Sequence, residues 1–178
     1  MSECDVIEPM IEAETIADRV DELVDELRGV YDDREPLFLT VLEGGAPFAD
    51  AICARWEGAA RADVGVSSYG GATSAQTEPQ LTTALPEVAG RDVLVIDDVF
   101  DTGHTLSMLK QRLLEAGAAS VALCVLLSKK REHEHPMQID YIGFEIPDVF
   151  VIGFGLDYDG VYRDLPYVGV LTPGSVRV

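Results

Sequence analysis

The sequence predicts an α/β fold, a single domain in which a central, mostly parallel sheet is flanked by helices. Its 178 residues match the size of one compact domain. Its middle reads strand, helix, strand, helix, strand, the order that sets parallel strands side by side with helices on their faces. Hydrophobic residues make up 47% of the chain, enough for a core without disulfide staples, since a chain of this size buries roughly 70% of its unfolded surface.

Each element has a local reason. Over residues 12–30, Ile16, Val20, Leu23, Val24 and Leu27 share one helical face with acids opposite. Residues 37–42 form a short apolar run after Pro36 and read as a buried strand ending in Glu43-Gly44-Gly45. Pro47 then opens a helix expected to run through Trp56, because proline is tolerated where the amide has no helical partner. Residues 62–69 alternate, with Val64 and Val66 on one face, as a strand does. Residues 70–86 are polar, rich in Gly, Thr, Ser and Gln, and lack a period. A stretch of that length is more often a functional loop than a connector. Residues 93–96 are a continuous β-branched and leucine run, hence a central strand. Leu106, Leu109 and Leu113 mark a helix that stops at Gly117, where a left-handed cap fits. Residues 121–127 are another buried strand with Cys124 as a small core hydrophobe, and 139–146, 150–152 and 167–171 are further strands.

Thirteen Lys plus Arg against 32 Asp plus Glu give a formal net charge of −19. That balance argues against nucleic acid or an anionic membrane as partner, because both need local cationic surface. Self-repulsion at this charge is screened by salt, so a salt-rich cytoplasm and a generally acidic proteome are both open as its origin. Three cysteines, Cys4, Cys53 and Cys124, have no paired spacing and form no metal-type cluster. The first residues lack a basic start and apolar block, and no apolar stretch approaches the ~20 residues of a membrane span. A cytoplasmic location is expected.

The segment Val93-Leu94-Val95-Ile96-Asp97-Asp98-Val99-Phe100-Asp101-Thr102-Gly103-His104-Thr105-Leu106 carries the chemistry. A hydrophobic strand runs out into two acids, a third acid begins a short turn, and a helix follows at once. Ligands of open α/β sheets bind beyond the carboxyl ends of the strands. The turn offers amides, two threonine hydroxyls and a glycine, and with the positive end of the helix they make an anion site suited to phosphate. Carboxylates beside such a site would repel the anion, but they serve well as acceptors for sugar hydroxyls. The pattern therefore describes a ribose-phosphate cradle. An ordinary βα turn with aspartate as a helix cap explains one acid here, not three.

This segment resembles the phosphoribosyl-pyrophosphate signature of type I phosphoribosyltransferases. Four further segments narrow the resemblance to the hypoxanthine (hypoxanthine-guanine) phosphoribosyltransferases. They are Leu42-Glu43-Gly44-Gly45, Ser67-Ser68-Tyr69-Gly70, Leu127-Ser128-Lys129, and Pro147-Asp148-Val149-Phe150-Val151-Ile152-Gly153 leading to Leu156-Asp157-Tyr158 and Tyr162-Arg163-Asp164-Leu165-Pro166-Tyr167. The likeness runs from about residue 6 to 171. It implies one phosphoribosyltransferase domain over 1–178, with a flexible flap near 68–86 and a small hood with C-terminal contributions from about 139–178.

The resemblance also implies a reaction: Mg²⁺-assisted transfer of the phosphoribosyl group from 5-phosphoribosyl 1-pyrophosphate to a 6-oxopurine, giving IMP from hypoxanthine and GMP from guanine. On that basis Asp97 and Asp98 hold the ribose hydroxyls, and Asp101, near purine N7, is the candidate general base. Thr102, Gly103, His104 and Thr105 hold the 5′-phosphate, while Gly44, Gly45 and Arg163 contact pyrophosphate. Lys129 donates to the 6-oxo group, Phe150 stacks on the purine, and Val151 presents its backbone to the purine edge. Asp157 is the metal carboxylate, and Ser68 and Tyr69 begin the flap. A homo-oligomer, dimer or tetramer, is the family expectation. Three departures stand out: Glu43 where relatives often carry Lys or Arg, His104 where lysine is common, and a flap whose residues 71–83 resemble those of relatives only weakly. A xanthine- or guanine-preferring transferase is the alternative within the class. A non-catalytic sensor of phosphoribosyl pyrophosphate is the alternative outside it, and that would need a basic face or an added DNA-binding domain.

Overall fold

The computed structural model describes residues 8–31, 33–67 and 79–171. In chain order the elements are β1 (Glu8–Ile11), α1 (Ala13–Tyr31), β2 (Leu37–Leu42), α2 (Ala46–Cys53), β3 (Ala60–Ser67), β4 (Gln80–Leu81), β5 (Asp92–Phe100), α3 (His104–Glu115), β6 (Ser120–Lys130), β7 (Tyr141–Pro147), β8 (Val151–Ile152) and β9 (Val168–Val170). Six strands make one sheet in the order β4-β3-β2-β5-β6-β7. All its pairings are parallel except β3 with β4. β1, β9 and β8 make a second, antiparallel sheet.

The alternation of side chains along β5 builds the core. Leu94 and Ile96 point to one face, where they meet Val20, Leu23 and Leu27 of α1 and Phe48 and Ile52 of α2. Val93 and Val95 point to the other face and pack with Leu106, Leu109 and Leu113 of α3. A strand covered on both faces needs apolar residues at every position, which is why 93–96 shows no alternation of its own. The chain therefore leaves β2 for a helix on one face and leaves the adjacent β5 for a helix on the other. The crevice between those two exits is where an open α/β sheet binds its ligand.

Several boundaries differ from the sequence expectation. α2 ends at Cys53 rather than Trp56, because the chain tightens: the Arg55 and Trp56 amides donate three residues back, to Ile52 and Cys53. Trp56 instead packs edge-on against Phe38, with ring centroids 5.3 Å apart. β1, which the sequence reading leaves out, pairs with β9 through a register irregularity between Pro9 and Ile11. β7 belongs to the large sheet, and the small sheet draws one strand from the start of the chain. Phe150 lies outside β8.

The far end of the polar stretch is ordered against the sheet. Thr82 donates its amide to Gly65 O (2.9 Å), and the Gly65 amide donates to Thr83 Oγ1 (2.9 Å). At the opposite edge, Arg19 of α1 donates to the carbonyls of Ile142 (2.9 Å) and Gly143 (3.1 Å) on β7. These bonds tie α1 to the last strand of the large sheet. Leu94 is fully buried between α1, α2 and β5's neighbours. Leu94→Ala should therefore cost about 2–5 kcal/mol, read as a lower urea midpoint at constant salt.

Candidate active site

The site begins where β5 stops being apolar without leaving the sheet. Asp97, Val99 and Phe100 still pair in register with Val125, Leu127 and Ser128 of β6, so the acids are held by ladder geometry. Asp97 is only 6% exposed. Its Oδ1 accepts from the Asp98 amide (3.0 Å), and Asp98 Oδ1 accepts from the Val99 amide (2.7 Å). Burial pushes the Asp97 carboxyl well above its ordinary value, and the neighbouring Asp98 charge pushes it further. Burial likewise raises Asp98.

The loop after β2 folds over these acids, and the Leu42–Glu43 peptide preceding it is cis. A Cβ on Gly44 would sit 1.8 Å from Asp98 Oδ2, and one on Gly45 would sit 2.8 Å from Val41 O and 3.0 Å from Ile96 O. Only glycine allows this approach. Past Asp101 the chain turns through Gly103, whose φ is 87°. α3 then starts with no side-chain cap and no acid in its first turn. Its first amides are therefore open to an anion. A cleft of about 270 Å³ brings these parts together, lined by Gly44, Asp97, Asp98, Asp101, Thr102, Gly103 and Thr105.

Further charged side chains contact, or neighbour in sequence, residues of the cleft or one another. Lys129 Nζ, at the end of β6, donates to Asp101 Oδ2 at 2.9 Å. Arg163 Nη2 lies 3.0 Å from Asp157 Oδ1 and 3.3 Å from Glu43 Oε2. The other oxygen of Asp157 accepts from the Gly160 amide (2.7 Å). Phe150 is 49% exposed, meets Tyr158 edge-on at 5.7 Å, and its carbonyl accepts from the Leu171 amide (3.0 Å). Val151 is buried in β8.

The His104 side chain is absent from the cleft lining and faces a second cavity with Ser107, Met108 and His135. The ring stands perpendicular to His135 at 4.0 Å, with Nε2 3.2 Å from Glu134 Oε2. Only its backbone remains available to the turn. Ser68 and Tyr69 lie outside the described residues. Arg131 and Asp148 were missed as site residues. Arg131 Nη1 donates to Asp101 Oδ1 at 3.0 Å and lies 3.5 Å from Asp148 Oδ2. The usable signal was register, since pairing Phe100 with Ser128 sets the residues after both strand ends against each other.

The described residues contain no cluster of three or more His, Cys, Asp or Glu able to hold a metal ion. Isolated carboxylates such as Asp157 suit Mg²⁺, which takes most of its ligands from water and phosphate oxygens. Among the described residues no helix is long and apolar enough to cross a membrane.

A doubly covered parallel sheet, with paired acids and an uncapped helix start at its carboxyl end, is an arrangement suited to a sugar phosphate. Residues 10–159 match the phosphoribosyl transferase domain model. The chain is 39% identical over 97% of either chain to a hypoxanthine-guanine phosphoribosyltransferase of Bacillus subtilis. It is 40% identical over 92% of its length to one of Lactococcus lactis, covering 90% of that protein. A solved hypoxanthine phosphoribosyltransferase from Staphylococcus aureus superposes with a TM-score of 0.87 at 33% identity, over 93% of this chain and 91% of that one. The chain belongs to the phosphoribosyltransferase family, among the hypoxanthine-guanine phosphoribosyltransferases.

A carboxyl raised by folding contributes stability that is fully present below its unfolded value, near 4, and is lost as pH climbs through the folded value. Without ligand, Asp97→Asn should therefore melt higher than the parent chain at pH 7, and the gap should close toward pH 4. Calorimetric scans of both proteins across that range measure it.

Proposed function

We propose that the chain transfers the 5-phosphoribosyl group of phosphoribosyl pyrophosphate to hypoxanthine, and to guanine, releasing pyrophosphate. The observation that carries this reading is the Lys129–Asp101 pair, 2.9 Å apart at the mouth of a cleft that also holds paired acids and an uncapped helix start. An ammonium donor beside a carboxylate acceptor matches a 6-oxopurine edge, with its oxygen at position 6 and a proton at N7.

The roles of the residues follow from their chemistry. Asp97 and Asp98 accept from the ribose hydroxyls, and the turn amides with Thr102 and Thr105 hold the 5′-phosphate. Purine N9 bonds to the anomeric carbon as its bond to pyrophosphate breaks, and Asp101 takes the proton that N7 releases. Lys129 stabilises the 6-oxo group, and Phe150 has the exposure needed to stack on the ring. Arg163 suits the leaving pyrophosphate, since its planar fork matches phosphate oxygens. Mg²⁺, held by Asp157, would supply charge neutralisation on the pyrophosphate. Such a site works chiefly by positioning and electrostatics.

The direct test incubates the protein with phosphoribosyl pyrophosphate, Mg²⁺ and each purine base in turn, at low and high salt. IMP from hypoxanthine is expected. No nucleotide from any base would overturn the reading, and preference for adenine would overturn the role of Lys129. Preference for xanthine would select the alternative transferase. Asp101→Asn should lower turnover by about 10²–10⁴-fold with donor binding kept, whereas Asp97→Asn should weaken donor binding itself. Glu43→Lys should lower the apparent KM for the donor, because Glu43 pairs with Arg163 at 3.3 Å. An unchanged KM would mean that this pair does not compete with pyrophosphate.

A further inference from the structure

Asp101 has both of its carboxylate oxygens occupied. Oδ2 accepts from Lys129 Nζ (2.9 Å) and Oδ1 from Arg131 Nη1 (3.0 Å). Both cations also reach Asp148, at 3.7 Å from Lys129 and 3.5 Å from Arg131. Four charges thus alternate in sign around one ring. The two cations face different demands once a base is bound. The proposed chemistry takes Lys129 to the 6-oxo group and away from Asp101. Arg131 is then the remaining counter-ion of Asp101; without it the carboxylate would stand as an uncompensated anion beside a turn that holds a phosphate, and repulsion would swing it from the purine edge.

We propose that Arg131 is a positioning residue, which keeps the Asp101 carboxylate at the purine edge after Lys129 has turned to the base. Arg131 is anchored for this work. The segment from Lys129 to His135 is fastened along the catalytic turn: the Arg131 amide donates to Lys129 O (3.0 Å), the His135 amide donates to Thr102 O (2.9 Å), and His133 Nδ1 meets Asp101 O. The His133 ring also lies 4.1 Å from that of Phe100. Asp148 holds the guanidinium from the other side, so Arg131 keeps a counter-ion throughout. Neither Arg131 nor Asp148 is among the residues proposed to hold the donor's ribose and phosphate.

This inference rests on the role proposed for Asp101, and the experiment separates the two. Arg131→Gln, Arg131→Lys and Asp101→Asn are compared by steady-state turnover with hypoxanthine, and by calorimetric titration of phosphoribosyl pyrophosphate without base. Arg131→Gln should lower kcat by about ten- to a hundredfold, the range expected for a displaced reacting group, and leave donor affinity at the parent value. Arg131→Lys should restore most of the turnover, because a single nitrogen of Arg131 makes both contacts and the guanidinium fork is not used. Parent turnover in Arg131→Gln overturns the inference. So does a loss of donor affinity as large as the loss of turnover, or failure of lysine to rescue. If Asp101→Asn keeps its turnover, the assignment of Asp101 falls. If Asp101→Asn loses turnover while Arg131→Gln does not, only the inference about Arg131 falls.

Discussion

The site depends on one constraint: β5 stays in the sheet after its sequence has stopped being apolar. Val93 to Ile96 are buried on both faces by three helices, and that packing commits the following residues to the same ladder. Asp97 is carried into a position 6% exposed, where a carboxylate is costly. Two backbone amides and the close approach of Gly44 leave little room for the pair to relax. Core packing thus holds the acids in place and ready for the hydroxyls of a sugar.

Charge at the cleft is balanced locally although the chain is strongly acidic. Lys129, Arg131 and Arg163 each contact carboxylates in the absence of ligand. On the proposed roles, an anionic donor would exchange places with Glu43 and other acids rather than fill a bare positive pocket. Elsewhere the arginines are engaged too, Arg19 with Glu22 and Glu26, and Arg61 with Asp50 and Asp63. Such exposed pairs each contribute at most about 1 kcal/mol, so their main effect is to dilute a surface that would otherwise repel the substrate.

The parts of this structure legible in the sequence are those where local chemistry decides the outcome. The apolar stripe of α1, the uninterrupted run of β5 and the acid-rich turn after it each have one reasonable interpretation. The parts that escaped depend on what lies opposite. β1 is four residues long, contains Pro9 and shows no alternation, so only its pairing with β9 makes it a strand. The direction of the His104 side chain is likewise a matter of tertiary structure, where its ring meets that of His135 from a later loop. Arg131 follows two lysines in what reads as a solvated run. Its contact with Asp101 exists because β5 and β6 run parallel in one particular register.

The small sheet has a consequence for how the molecule is made. β9 lies between β1 and β8, so one of the first strands to leave the ribosome stays unpaired until one of the last arrives. The large sheet is complete once β7 has emerged, and domains can begin folding during synthesis. The half of the site proposed to hold sugar and phosphate can therefore take shape on the nascent chain. The half around Phe150 and Val151 waits for β9, and a chain truncated before Val168 would keep the large sheet but lose the strand that joins the small one.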